Sequence, residues 1–155
     1  KKKIYLIYMS EIIEIGITKI KNDPIEKVNF IEVLQGKGIK GDRTFSESND
    51  SDRQLTLIES ENIDYYNEKY NFNFSYVDFR RNLITKNIKL NELVGKNFVI
   101  GKIKVKGIDF CRPCKELEKK LGATNYLKEF LRRGGLVCKI LNSGTIKVGD
   151  EISIL

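Results

Sequence analysis

The 155-residue chain is 41% hydrophobic and 32% charged, the balance of one globular domain over residues 1–155, and no apolar run reaches the roughly 18 residues that span a bilayer. Its 28 basic and 21 acidic residues leave a net +7, which suits an anionic partner such as a phosphate; a solvated lysine surface gives the same figure, and without a basic tract carrying interleaved aromatics nucleic acid is not expected. Three cysteines and no histidine, with no signal peptide, point to free thiols in a reducing cytoplasm rather than a disulfide scaffold, and leave any chemistry to cysteine, carboxylates, Lys, Arg and Tyr.

The first nine residues, Lys1 to Met9, put three lysines before a short apolar run. Glu11 and Glu14 follow at once and no small-residue cleavage site appears, so the segment reads as a first strand and not a signal peptide. A start on Lys1 instead of Met is expected of a trimmed product. Alternation then puts Ile13, Ile15 and Ile17 on one face of a strand. A second run sets Val28, Phe30 and Leu34 against Ile31 and Val33. Glycines punctuate residues 36–42 as a turn region, and the polar stretch from Ser46 to Asp52 reads as a mobile loop. A strand is predicted over 54–58 and a helix over Ser60–Tyr70, capped near Glu59 or Ser60. A strand at 83–85 and a turn over 91–95 follow. Strands over 98–100 and Ile103–Phe110 are parted by Gly101. Helices are expected over Lys115–Leu121 and 125–131. Strands close the chain over 136–141 and, broken by Gly149-Asp150, over 145–155. Strands dominate both ends, which predicts a mainly β fold with a few helices, a mixed and partly closed barrel, over alternating β-α units.

Four segments could carry chemistry. Cys111-Arg112-Pro113-Cys114 sits between a strand and a helix, where basic neighbours and a helix start lower a thiol pKa. By this reading Cys114, just past Pro113, is the working thiolate. Cys111 is either its partner or a small buried thiol, and Cys138 is core. A structural zinc needs four Cys or His ligands, and a thioredoxin-type pair belongs to a βαβ unit, so neither fits. Arg80-Arg81-Asn82-Leu83 offers guanidinium forks to an anion and an amide to a heterocycle edge, or else a solvated pair of charges. Residues 36–41 match GxGxxG, but no helix follows, so these glycines serve close backbone approach, with Asp42 and Arg43 projecting into a pocket or pairing with each other. Arg53 and Gln54 add donors, and Arg132-Arg133-Gly134-Gly135 is a basic turn usable for phosphate or for capping the preceding helix.

Taken in order, these pieces resemble the MOSC domain family, named for the C-terminal domain of molybdenum cofactor sulfurase. Gly38-Ile39-Lys40-Gly41-Asp42-Arg43 looks like its G-I-x-G-D-R segment, Arg53 to Ile58 like the strand that follows, and Arg80-Arg81-Asn82-Leu83 like R-x-N-[LI]. Asn91 to Gly101 resembles L-x-G-x-x-F-x-I-G, and Cys111 to Cys114 and Arg133-Gly134-Gly135-Leu136 complete the series. The compact length looks like a standalone bacterial member. The resemblance implies a β-barrel like that of pyruvate kinase's small domain. It also implies one of two jobs. In the first, the protein binds molybdenum cofactor (molybdopterin). Cys114 ligates the metal, Arg80 and Asn82 lie against the anionic pterin and its phosphate, Arg53, Asp42 and Arg43 lie nearby, and N-hydroxylated substrates are reduced with electrons from a separate electron-transfer protein. In the second, the protein is a sulfur carrier charged by a cysteine desulfurase, with a persulfide on Cys114 that Cys111 resolves. The family's G-D-R segment often continues with His; Thr44 stands here.

Overall fold

A computed structural model describes residues 9–48 and 51–155. The strand expected at the start falls outside them, apart from Met9. The chain is mainly β, with eleven strands and three short α-helices among the described residues. Eight strands form one curled sheet in the order β11-β7-β8-β9-β5-β6-β1-β2: Glu11–Ile17 (β1), Glu26–Val28 (β2), Leu55–Glu59 (β5), Leu83–Lys86 (β6), Asn97–Ile100 (β7), Ile103–Phe110 (β8), Leu136–Ile140 (β9) and Ile152–Ile154 (β11). Most neighbours are antiparallel, and β5 and β6 run parallel. The sheet curls until β1 meets the residues leading into β11: the Ile12 N–H donates to the Asp150 carbonyl at 2.9 Å and the Ile152 N–H to the Ser10 carbonyl at 2.8 Å. Closure of this kind satisfies edge groups that an open sheet would leave bare.

A smaller sheet, β10-β3-β4, comprises Phe30–Leu34 (β3), Gly38–Ile39 (β4) and Gly144–Lys147 (β10). Its inner residues Ile31, Val33, Ile39 and Ile146 join Ile12, Ile15, Phe98 and Val105 in the main core. The run read as one strand over Val28 to Leu34 is therefore two strands in different sheets. Phe30 is solvent-exposed while Ile31 and Val33 face inward, as the alternation requires. On β1 the predicted face is corrected by a bulge. The register on β6 slips between Ile12 and Glu14, so Ile12, Ile15 and Ile17 point into the barrel and Ile13 packs outside it. A bulge adds one residue and reverses the alternation beyond it.

The helices sit outside the barrel. Ser60–Tyr70 (α1) begins after Glu59, as expected, and ends on Asn71, which adopts the left-handed conformation. Lys115–Leu121 (α2) follows Pro113, carries Glu116 and Glu118 in its first turn and Lys119 and Lys120 in its last, and stops at Gly122 with φ 61°. That charge order matches the helix dipole. Tyr126–Glu129 (α3) is shorter than the predicted 125–131. Phe130 has to leave the helix to stack among Tyr66, Phe79 and Tyr126, with ring centroids 5.0–5.1 Å away. This aromatic cluster forms a second core between the helices and the outer face of β5 and β6.

Candidate functional site

A cavity of about 260 Å³ opens where the loop after β1, the loop after β4, the starts of β5 and β6, and α2 converge. Seven cationic side chains line it (Lys21, Arg43, Arg53, Arg80, Arg81, Arg112 and Lys120), against the carboxylates Asp42 and Glu116. The positive charges press on one another: burial first, and then the neighbouring Arg43, hold the Arg80 pKa below its usual value. Such a site favours an anion that brings its own negative charge.

Arg80 is the residue after a 3-10 turn over Tyr76–Phe79 and takes φ 62°. That left-handed step sends its side chain to the Asp23 carbonyl, 2.8 Å away, tying it to the loop after β1. Arg81 turns the other way and is buried. Its Nε donates to the Gly134 carbonyl at 3.0 Å and its Nη1 to the Phe79 carbonyl at 3.2 Å. Neutral carbonyls hold this charge, so its field still reaches the cavity and the nearby Cys111 thiol.

The two motif cysteines have separate fates. Cys114 is exposed on the cavity rim, as the residue that caps α2. Cys111 is 1% exposed. Burial raises its thiol pKa, and the charges of Arg81 and Arg53 oppose the rise only in part. A thiol held protonated under packed side chains is a poor nucleophile, so Cys111 does not suit the resolving role. Cys138 lies in the barrel core, where burial raises its pKa strongly.

The model of the MOSC domain matches residues 37–153. The chain belongs to the MOSC domain family. Solved structures repeat the fold. YuaD from Bacillus subtilis superposes with a TM-score of 0.79 at 17% identity, over 94% of each chain. YiiM from Geobacillus stearothermophilus gives 0.75 at 19% identity, over 94% of this chain and 75% of that one. YiiM from Escherichia coli gives 0.72 at 17% identity, over 96% and 70%. No curated protein matches by sequence.

Within this MOSC domain the motif residues divide into those that face the cavity and those that build it. Arg43, Arg53, Arg80 and Cys114 line the cavity with side chains that can reach a ligand. Asp42 does not pair with Arg43. Its Oδ1 accepts the Thr18 N–H at 3.0 Å, and its Oδ2 accepts the Thr44 hydroxyl at 2.6 Å, so it pins two loops together. Thr44, standing where the family often has His, is thus a loop anchor at the cavity wall. The Asn82 amide is likewise engaged. Its Oδ1 accepts from the Thr56 N–H and hydroxyl, both at 3.1 Å, and its Nδ2 donates to the Gly16 carbonyl at 3.2 Å. It joins β1, β5 and β6 at the cavity floor, and only one amide hydrogen remains for a heterocycle.

Residues 133–135 are a platform rather than an anion loop. Arg133 donates to the Glu129 carbonyl and carboxylate, capping α3. A Cβ on Gly134 would lie 2.2 Å from the Cys111 carbonyl oxygen, and one on Gly135, at φ 106°, 1.9 Å from that of Leu57. Only glycine allows this approach, which brings the Gly135 carbonyl to the Cys111 N–H at 2.8 Å. Sequence reading passed over Lys21 and Lys120 as lining residues. Arg81 stood within a motif already singled out; Lys21 and Lys120 carried no local signal.

Among the described residues no cluster of three His, Cys, Asp or Glu side chains could hold a metal ion. A metal at this cavity would have to arrive with its own cofactor and take one ligand from Cys114. The donor set fits molybdenum cofactor on those terms: one soft thiol at the rim, guanidinium forks for a phosphate, and a concave site whose open side leaves room beyond 260 Å³.

Proposed function

We propose that this MOSC protein binds molybdenum cofactor in the basic cavity, with Cys114 as the thiolate ligand, and reduces N-hydroxylated or N-oxide bases there. The observation that supports it is a lone exposed thiol on the rim of a cavity lined by seven cations. Arg43, Arg53 and Arg80 hold the phosphate, each contact worth about 1.5–3 kcal/mol as a hydrogen bond between charged groups. Arg81 supplies field from below without leaving its carbonyls. The bound cofactor supplies two-electron oxygen-atom chemistry at molybdenum, and a separate electron-transfer protein restores the electrons. The chain's own share is retention and orientation, which suits a cavity without histidine. The three free thiols fit a cytoplasmic setting. The test is metal and pterin content after expression in a host that makes the cofactor. Wild type should carry both, and Cys114→Ala should lose most of the molybdenum; equal molybdenum in the two overturns the ligand assignment.

Exposure of Cys114 also favours a second reading, a sulfur carrier. Its thiolate would attack the outer sulfur of a desulfurase persulfide, forming a new S–S bond and releasing the desulfurase thiolate. Buried Cys111 would then be a bystander. Mass spectrometry after incubation with a cysteine desulfurase and cysteine decides: no gain of one sulfur on the Cys114 peptide rejects it.

A further inference from the structure

The loop after β1 presents an exposed apolar side chain beside the basic cavity. Ile20 is 63% exposed and stands between exposed Lys19 and cavity-lining Lys21. Its backbone is held on both sides. The Ile20 carbonyl accepts the Thr18 hydroxyl at 3.0 Å and the Asp23 N–H at 3.2 Å. Further on, the Asn22 Oδ1 accepts the Lys120 ammonium at 2.7 Å, and the Asp23 carbonyl accepts the Arg80 guanidinium at 2.8 Å. The loop is thus fastened to α2 and to the turn before β6, and Ile20 points to solvent from a fixed backbone. A loop ordered before it meets a partner costs less to bury. The charges around it are open. Among the described residues only Arg112 of the cavity's cations is ion-paired, to Asp109 at 3.5 Å. An aliphatic anchor beside open positive charge has the anatomy of an interface, with an apolar centre and a charged rim that attracts an acidic surface. Among the described residues no aromatic side chain lines this cavity for a base to stack on, which favours a folded acidic protein over a nucleic acid.

We infer that the loop after β1, with Ile20 as its anchor, is the docking site of an acidic one-electron carrier protein that seats over the cavity mouth on the same rim as Cys114. The inference rests on the proposed reduction in that cavity. Removing the oxygen of an N-hydroxyl group consumes two electrons and two protons and releases one water. A one-electron carrier therefore docks twice per turnover, and its oxidised form has to leave each time. Open charge that steers arrival, with a single apolar anchor to fix orientation, suits such brief encounters.

The test separates docking from the cofactor. Cofactor-free protein is titrated into a dye-labelled plant-type ferredoxin, used as the acidic carrier, and fluorescence anisotropy is followed. Binding should saturate at low salt and weaken about tenfold between about 20 and about 200 mM salt. Ile20→Ser removes the anchor and should weaken binding about tenfold; Lys19→Glu should weaken it about fivefold. Lys104→Glu changes the net charge equally, but Lys104 is exposed on β8 and lines no part of the cavity, so it should bind as wild type. All three variants should match wild type in thermal melting and in molybdenum content after cofactor loading. In loaded protein, Ile20→Ser and Lys19→Glu should raise KM for reduced ferredoxin and leave kcat, and turnover with reduced methyl viologen, unchanged. Binding that does not saturate, wild-type affinity in Ile20→Ser, or equal weakening by Lys19→Glu and Lys104→Glu overturns the docking site, as does tighter binding of a single-stranded DNA oligonucleotide than of ferredoxin. Absence of molybdenum with docking intact instead overturns the cofactor reading.

Discussion

Replacing Asn82 with alanine separates a scaffold role from a ligand-reading one. The amide makes three hydrogen bonds across three strands, two from Thr56 at 3.1 Å and one to Gly16 at 3.2 Å. Asn82 and Thr56 are each 8% exposed, at the floor of the cavity, so water replaces the lost partner only in part. Losing these bonds, and leaving the Thr56 N–H without its acceptor, should cost about 3–5 kcal/mol. That is a large share of a typical domain stability of roughly 5–15 kcal/mol. For a chain of this size it corresponds to a fall in Tm of roughly 6–20 °C. The assay is urea denaturation of cofactor-free protein, followed by a thermal melt. The midpoint should fall with the slope unchanged, which locates the loss in the native state. Asn82→Asp keeps both accepted bonds but turns an acceptor toward the Gly16 carbonyl, so it too should be destabilised. A change under about 0.5 kcal/mol for the alanine variant, the range of ordinary surface substitutions, would refute the reasoning and return Asn82 to the pterin.

Other outcomes follow from the same geometry. Gly135→Ala puts a Cβ 1.9 Å from the Leu57 carbonyl oxygen at φ 106°; strain and overpacking together should cost about 3–5 kcal/mol, measured by urea denaturation. A brief pulse of iodoacetamide on native protein should modify Cys114 and spare Cys111 and Cys138, all three reacting in denaturant; the readout is peptide mass spectrometry, and rapid native labelling of Cys111 would contradict its burial. The Glu129 carboxyl pKa is lowered, chiefly by the Lys69 ammonium and then by the Tyr70 hydroxyl. A depressed carboxylate contributes stability that is present above its unfolded value and lost as pH falls through the folded one. Glu129→Gln should therefore be less stable than wild type at neutral pH, the gap closing below about pH 4, as read by denaturation across that range.

Local pattern carried much of the architecture. Ser60–Tyr70 and Lys115–Leu121 form helices as read, because their caps, first-turn acids and last-turn bases lie within a few residues of the elements they define. The MOSC motifs were legible too, as ordered short segments, and with them the fold. Tertiary structure alone decided which motif side chains are free. Asp42 and Asn82 look like ligand groups in sequence, yet their partners Thr18, Gly16 and Thr56 lie far from them along the chain, and a hydrogen bond between distant residues leaves no periodic mark. Likewise, the bulge at Ile13, the burial of Cys111 beside an exposed Cys114, and the recruitment of Lys21 and Lys120 to one cavity depend on how the sheet curls. Pattern reports neighbours along the chain, whereas burial and charge depend on neighbours in space, and only packing settles those.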